Sequence, residues 1–543
     1  MIHFRPTLAD DRLCRVLTAF LLALAMFAAE HACFAESPST ILVVAAEAFR
    51  DPMAPWTHHR TSQGYVVRWV DPRPTAVATT EAIRDASRGK ADVESGESDA
   101  DSVCAILLVG TAPPIGRSDD AEGLEVATHY QPTTITRQFG STPTMATDAP
   151  YSDLDADGEA DVPVGRLPAR NPESLGVMIE KVLANDRGKD FGLWRRRVEL
   201  VGGLGGFGPL IDTAIESVTR SIVTTSLPTD VCTGVLYASP GHPFMPSDSF
   251  GDAMRRRYAD GCRFWVYAGH GLPEKLDDVP RASDVSDAGH PILTSANAVT
   301  LSHSNATPPI AVMLACFTAA FDIDRPSIAE SMMAAPGGPS SVLAGTRVTM
   351  PYGNASWTLR LIDAVYDRRC ETLGEAFFIA QQQLRDETHR LEGVTGSMVD
   401  GLAAMFASRR DAPMAERREH ASLFQLLGDP TMSLHPPRTI PIKMPRGVDH
   451  ETAVAIEMTS PLSGNMTLIF QTTPGHNPEE PNRVVVSSES FAVEAGRPIR
   501  RSMTPPPGHS GWLRVIAHVE GSDGWAVGGD QVNIRPAASP NAR

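Results

Sequence analysis

From Thr40 onward the chain repeats one rhythm. A short unbroken apolar run is followed by a stretch whose apolar residues recur every three to four positions, then by another apolar run. "ILVVAA", the helical "TEAIRDASR" and "VCAILLVG" are the first example. Strands apolar on both faces must be covered on both faces, and intervening helices supply that cover, so the rhythm predicts a mostly parallel sheet. A long polar loop beginning "TAPPIGRSDDAEG" leads to "YSDLDADGEADVPVGRLPAR" and the helix "PESLGVMIEKVLAND". The rhythm then restarts with "RRVELVGGL", a helix from Pro209 to about Ile222, the strands "RFWVYAG" and "PIAVMLA", a helix near "SIAESMMAA" and the strand "SSVLAGT". Two α/β units in tandem are expected, over residues 36–195 and 196–440.

After "LLGDPTMSLHPP" the texture changes. "AVAIEMTS", "NMTLIFQTT", "RVVVSSESFAV" and "GWLRVIAHVEG" alternate without helical periodicity and are separated by Gly, Pro and Asn, which predicts a small β-sandwich over 441–537, with 538–543 as a tail. At the other end, Arg12 and Arg15 precede the apolar run "VLTAFLLALAMFAA", and Cys33 and Ala35 satisfy the small-residue rule for cleavage after Ala35. Residues 1–35 therefore read as a secretory signal, and the expected location is secreted or periplasmic. The run is short for a membrane span, and no other stretch is long enough to be one.

The formal net charge of −17 argues against nucleic acid as a partner, and no basic stripe interleaved with aromatics offsets it. Five cysteines follow the leader: Cys104, Cys232, Cys262, Cys316 and Cys370. In an oxidising compartment an odd thiol stays free, while the other four would form two bridges or lie buried.

Two apolar runs end in chemistry. "FWVYAGHG" places His270 between Gly269 and Gly271, and "PIAVMLACFTAAFD" reaches Cys316 directly from a strand. In open parallel sheets the reactive rim lies beyond the carboxyl ends of the strands, so neighbouring strands would bring this imidazole and thiol together. An imidazole next to a thiol favours the thiolate and supplies a proton to a leaving amine, which is what acyl transfer from a peptide requires. Gly271, lacking a side chain, lets its N–H approach a substrate carbonyl, and with the Cys316 N–H it would make an oxyanion hole. The competing reading is a buried core thiol and an unrelated loop histidine.

These segments carry a resemblance. "WVYAGHG", "AVMLACFTAAFD" and "SIAESMMAAPGGPSSVLAGT", together with "ILLVG", "DLDADGEADVPVGRLPAR" and "LLGDPTMSL", resemble in order the gingipain-type cysteine peptidases, relatives of caspases and legumains, over most of residues 40–435. The resemblance implies tandem caspase-like α/β/α units with a trailing Ig-like domain, His270 as acid/base and Cys316 as nucleophile. It implies a secreted endopeptidase acting on proteins or peptides through an acyl-enzyme, with no required cofactor. By its place before the strand "VPVGR", Asp161 resembles the acid that orients the catalytic histidine; the alternative is a calcium ligand. Ala319 departs from the pattern, since the family often has Gly there, and its methyl would narrow the pocket mouth.

"DLDADGEAD" spaces Asp153, Asp155 and Asp157 as in the start of a calcium loop with Gly158 at the turn, although Val164 stands where a bidentate Glu is expected. A structural Ca²⁺ and an acidic turn held by its own side chains are both open. "GGLGGFGP" lacks the Lys and Ser/Thr of a phosphate loop and reads as a substrate-side loop. Arg347, Met350 and Tyr352 are candidates for the specificity pocket, an Arg347 there favouring acidic substrates. A rival to the enzyme is a catalytically silent secreted binding or adhesion protein on the same scaffold, and a transpeptidase would use the same acyl-enzyme. The sequence leaves the oligomeric state open.

Overall fold

The apolar runs assemble into one ten-stranded sheet. The computed structural model describes residues 39–88, 102–117, 123–206, 208–280, 289–407, 409–477, 480–482, 484–522 and 524–536. The expected leader at 1–35 and the tail at 538–543 lie outside the described residues. The strands of the sheet are β1 (Thr40–Ala45), β2 (Val66–Val70), β3 (Val103–Val109), β4 (Val164–Leu167), β5 (Arg197–Gly202), β6 (Cys232–Tyr237), β7 (Phe264–Ala268), β8 (Ile310–Leu314), β9 (Ser341–Gly345) and β10 (Phe424–Leu427). Their spatial order is β2-β1-β3-β4-β10-β9-β8-β7-β5-β6. Every neighbouring pair is parallel except β9 and β10.

That single reversal organises the body. The stretches that the sequence divides into two tandem units share this one sheet, and β10, last of the ten in the chain, is inserted between their halves. Strands β1 to β4 run one way and β5 to β9 the other, so the entrance to β4 lies on the same rim as the exits of β7 and β8. The central strands are buried along most of their length, as their unbroken apolar sequences require.

Helices cover the sheet: α1 (Ala54–Ser62), α2 (Ala76–Ser87), α3 (Pro172–Arg187), α4 (Pro209–Ser221), α5 (Phe250–Ala259), α6 (Ile328–Ala334), α7 (Pro351–Ile362), α8 (Leu373–Arg385), α9 (Gly393–Phe406) and α10 (Ala412–Leu423). The turn after β10 explains "LLGDPTMSL". Buried Asp429 accepts hydrogen bonds from Trp56 Nε1 at 2.5 Å and Arg60 Nη2 at 2.6 Å, and Arg60 also pairs with Asp186 of α3 at 2.6 Å. A buried guanidinium is tolerated because carboxylates face it on two sides, and the network ties the end of the body to its first and third helices.

Among the described residues of 438–535 the regular elements are all strands, in sheets of six and three around Ile456, Leu468, Phe470, Val515 and Ile534. This unit is fixed to the body: Trp525 Nε1 donates to His435 O at 2.9 Å, and Asn482 bonds both the N–H and the C=O of Val235.

Candidate active site

β7 and β8 are hydrogen-bonded neighbours in parallel register, with Ala268 opposite Leu314. Two residues further along each strand stand His270 and Cys316. Both line one cleft of roughly 790 Å³, together with Gly203, Leu204, Asp212, Thr349 and Met350. The sheet therefore brings the imidazole and the thiol to one rim, and neither residue depends on a long flexible loop for its place.

The glycines around them are required by space. A methyl on Gly271 would fall 2.7 Å from Cys316 O and 2.8 Å from Thr318 Cγ2, so the Gly271 backbone lies directly on the turn that carries the nucleophile candidate. Gly271 opens a hairpin in which it pairs with Leu276, but Leu276 gives its N–H to Leu293 O. The Gly271–Leu276 pair is thus the non-bonded pair of the hairpin, and the Gly271 N–H is not used inside it. Gly269 makes room: a methyl there would lie 2.6 Å from Tyr267 Oη and 2.8 Å from Asp277 Oδ2. Phe317, next to Cys316, is held at φ 60°, a strained conformation for a bulky residue that its N–H to Arg347 O bond (2.9 Å) helps to fix.

The Cys316 sulfur is parked on the backbone of Thr349. It accepts the Thr349 N–H at 3.4 Å, and its S–H points to Thr349 O at 3.7 Å. Burial pushes its pKa up, opposed by the hydrogen bonds from Thr349. None of the five described cysteines is in a disulfide; Cys262 and Cys370 are buried, and Cys104 and Cys232 are partly so.

Two carboxylates that the sequence did not single out bracket His270. Asp277 Oδ2 accepts from the His270 N–H at 3.1 Å, the Tyr267 hydroxyl at 3.1 Å and the Leu204 N–H at 2.9 Å. Burial raises its pKa, while the His270 N–H, the His270 charge, Tyr267 and Leu204 oppose the rise. The Tyr267 hydroxyl lies 2.8 Å from His270 O, so acid and phenol together grip the histidine's main chain. On the cleft side, both Asp212 carboxylate oxygens lie 3.2 Å from the Gly206 N–H, and a methyl on Gly206 would be 3.6 Å from His270 Nε2. Gly206 thus lies between an acid and the imidazole.

Asp161 is placed elsewhere. It precedes β4, on the same rim but four strands from β7, which at about 4.8 Å per strand is roughly 19 Å. Its Oδ2 accepts the Leu154 N–H at 2.7 Å. Asp153, Asp155 and Asp161 offer oxygens within 4.8 Å of one another, whereas Asp157 stands outside that group and accepts the Glu159 N–H at 2.8 Å. Asp153 also pairs with Arg84 at 2.9 Å and accepts the Ala156 and Gly158 N–H groups. The loop therefore has a convergent oxygen set and the internal bonds of an acidic turn at once.

Of the specificity candidates, Met350 and Tyr352 line the cleft and Arg347 does not. Arg347 is buried in a two-point pair with Asp322 (2.9 and 2.5 Å) and bonds Thr142 and Thr144. It braces the loop after Cys316. Ala319 is buried in the core, with its N–H on Gly345 O, so its methyl lies away from the cleft lining.

Comparison with known proteins identifies the family and the fold. The model of peptidase family C25 matches residues 34–435. Among solved structures, one described as "Structure of Protease" is 14% identical with a TM-score of 0.54, covering 91% of this chain and 97% of its own. The Arg-specific cysteine proteinase gingipain R (RgpB) is 13% identical with a TM-score of 0.50, covering 92% and 98%. The complex of Porphyromonas gingivalis RgpB pro- and mature domains gives 12% identity and a TM-score of 0.50, over 92% and 100%. No curated protein matches the chain. At these identities the structural likeness is one of fold, and the family model, spanning most of the chain, carries the assignment: the protein belongs to peptidase family C25, the gingipain family of cysteine-type peptidases.

Proposed function

We propose that the chain is an exported endopeptidase that cleaves peptide bonds through an acyl-enzyme on Cys316. The observation that carries this reading is the register of β7 and β8, which sets His270 and Cys316 at one rim with Gly271 packed on the Cys316 turn. Because burial favours the neutral thiol, attack on the carbonyl is coupled to transfer of the sulfur's proton to His270, which then protonates the departing amine. The Gly271 and Cys316 N–H groups receive the oxyanion, and water releases the acyl group. Asp277 and Tyr267 act as positioning residues by fixing the histidine's main chain, and Asp212 faces the imidazole across Gly206. Asp161, engaged in its own loop, has no part in this chemistry.

Export rests on the Arg-led apolar segment at 1–35, and an Ig-like character of the C-terminal unit rests on its paired sheets. A Ca²⁺ ion would be held by Asp153, Asp155 and Asp161 and would clamp their loop without entering the reaction; Asp157, turned into its own backbone bond, fits such a site less well.

The test is cleavage of a mixed peptide pool by the full chain and by Cys316→Ala, each with and without a calcium chelator. Loss of cleavage in the folded variant is expected; full activity in it would overturn the nucleophile assignment. A chelator should lower thermal stability and leave the chemistry of the remaining folded enzyme intact.

A further inference from the structure

The cleft is walled by apolar surface that folding leaves uncovered. Along α4, Ile211, Ala214, Ile215 and Val218 recur at helical spacing and line the cleft, yet no residue of this helix is buried. Val399, Leu402 and Phe406 of α9 line the same space. The two helices are pinned at their far ends, where Ser221 and Thr395 hydroxyls lie 2.7 Å apart, leaving the space between them open toward the catalytic pair. The floor is Ala268 and Leu314, the last paired residues of β7 and β8. At the mouth, Phe139, Ile211 and Phe406 are exposed. An amphipathic stripe ordinarily faces a core, and here it faces the cleft, so the cleft wall offers apolar contact to a substrate.

The charged groups of the lining lie at its edges, with Asp212 in the first turn of α4 at the His270 end, and the walls farther along α4 and α9 are apolar. Among the described residues lining the cleft, Asp212 accepts the Gly206 N–H, and Arg409 pairs with Asp411 at 2.5 Å in solvent at the rim. Glu416 Oε1 accepts the Gly353 N–H in the first turn of α7 at 2.7 Å, and burial raises its pKa to about 7. A carboxyl partly protonated at neutral pH and bound to a helix N-terminus is a poor counter-ion for a guanidinium or ammonium group, and a charged side chain drawn past Asp212 to the Leu314 and Ala268 floor would lose its hydration among apolar side chains.

We infer, resting on the peptidase reading above, that this enzyme selects substrates whose side chain immediately before the cut bond is large and apolar, seated on Leu314 and Ala268 between Ile215, Val218 and Leu402. The cleft volume is ample for a phenylalanine or leucine side chain. The substrate class is thus uncharged at this position.

The experiment is digestion of a peptide pool in which the residue before the cut bond is varied, with the bonds identified by mass spectrometry. Cleavage after Phe, Leu, Met or Tyr should exceed cleavage after Arg, Lys, Asp or Glu by about 100-fold in kcat/KM. Leu402→Asp should erode that preference and admit Lys and Arg, and Ile215→Asp should do the same from the opposite wall, so a folding defect in one variant leaves the other as the readout. Preferred cleavage after charged residues, or no discrimination, overturns this inference and leaves the peptidase reading standing. A chain that cuts no bond overturns the peptidase reading, and this one with it.

Discussion

α3 and α4 are helices of comparable length in the same body, and they use apolar surface in opposite ways. α3 starts from a reciprocal cap between Asn171 and Ser174 and buries Leu175, Met178, Ile179, Val182 and Leu183 against the sheet and its neighbours. α4 starts at Pro209 after Gly208 without a side-chain cap, carries a comparable apolar stripe and buries none of it. The α3 stripe holds the fold together. The α4 stripe faces the cleft that holds His270 and Cys316. The difference separates apolar surface that stabilises the protein from apolar surface kept available for a substrate, and substitutions on the two sides should read out in different measurements.

The largest expected effect lies wholly on the cleft side. Cys316→Ala should lower kcat/KM by about 10⁴-fold or more, because a methyl cannot form the acyl-enzyme. Its stability should stay within about 1 kcal/mol of the parent, since the sulfur's contacts with Thr349 are long. A large drop in the urea midpoint would mean that this part of the rim also supports the fold, and the division would blur. Met178→Ala is the complementary case on α3. Met178 is 1% exposed, and its truncation leaves a core cavity costing about 2–5 kcal/mol. Urea unfolding should show that loss while the peptide preference of the remaining folded enzyme stays unchanged; a shifted preference would show that α3 reaches the site.

Much of this division was legible before the coordinates. Apolar runs that stop at Gly-His-Gly and at Cys316 mark strand exits, and strand exits mark a rim, so the pair could be named from residues alone. Asp277 and Asp212 could not. They are two among 65 acidic residues, and what makes them special is a hairpin from Gly271 to Leu276 that folds Asp277 back under His270, and a glycine loop that wraps Asp212; neither closure has a periodic signal. The usable hint for Asp277 was its place seven residues past His270, just beyond the Pro273-Glu274 turn. Asp161 was given to the histidine by likeness of order, but the direction of β4 and the three strands between it and β7 set the distance. The reversal that fuses the two halves rests on β10, four residues long, "FQLL", too short for its pairing direction to be read from pattern. Arg347 follows an apolar strand as a pocket residue would; only its buried partner Asp322 shows that it braces the loop.

A smaller effect probes the cleft wall through pH. Burial lifts the Glu416 pKa from 4.5 to about 7, with the Gly353 N–H opposing and the Glu419 charge adding to the rise. With a folded-state value above the unfolded one, the folded chain retains a proton that the unfolded chain releases between about pH 4.5 and 7. The relative stability is therefore fully present below the unfolded pKa and lost as pH rises through the folded one. Glu416→Gln keeps an acceptor for Gly353 and stays neutral. It should match the parent near pH 4 and exceed it at pH 8 by roughly 1–3 kcal/mol in thermal or urea unfolding, the lower end applying where cleft water screens the charge. Equal stability at both pH values would show that water already solvates this wall.

The smallest stability effect is expected on α4 itself, and it bears most directly on the comparison. Ile215 lines the cleft without being buried. Ile215→Ala removes little contact area from the folded state and replaces a β-branched residue with the best helix former, so the two terms oppose each other and the net change should fall within about 0.5 kcal/mol. The same truncation enlarges the space beside the substrate side chain, so the preference among apolar residues should move toward larger ones, Phe and Tyr gaining about threefold to tenfold over Leu in kcat/KM. A loss of stability near that of Met178→Ala would mean that the α4 stripe is core after all, and that the cleft is narrower in solution than the space drawn between α4 and α9.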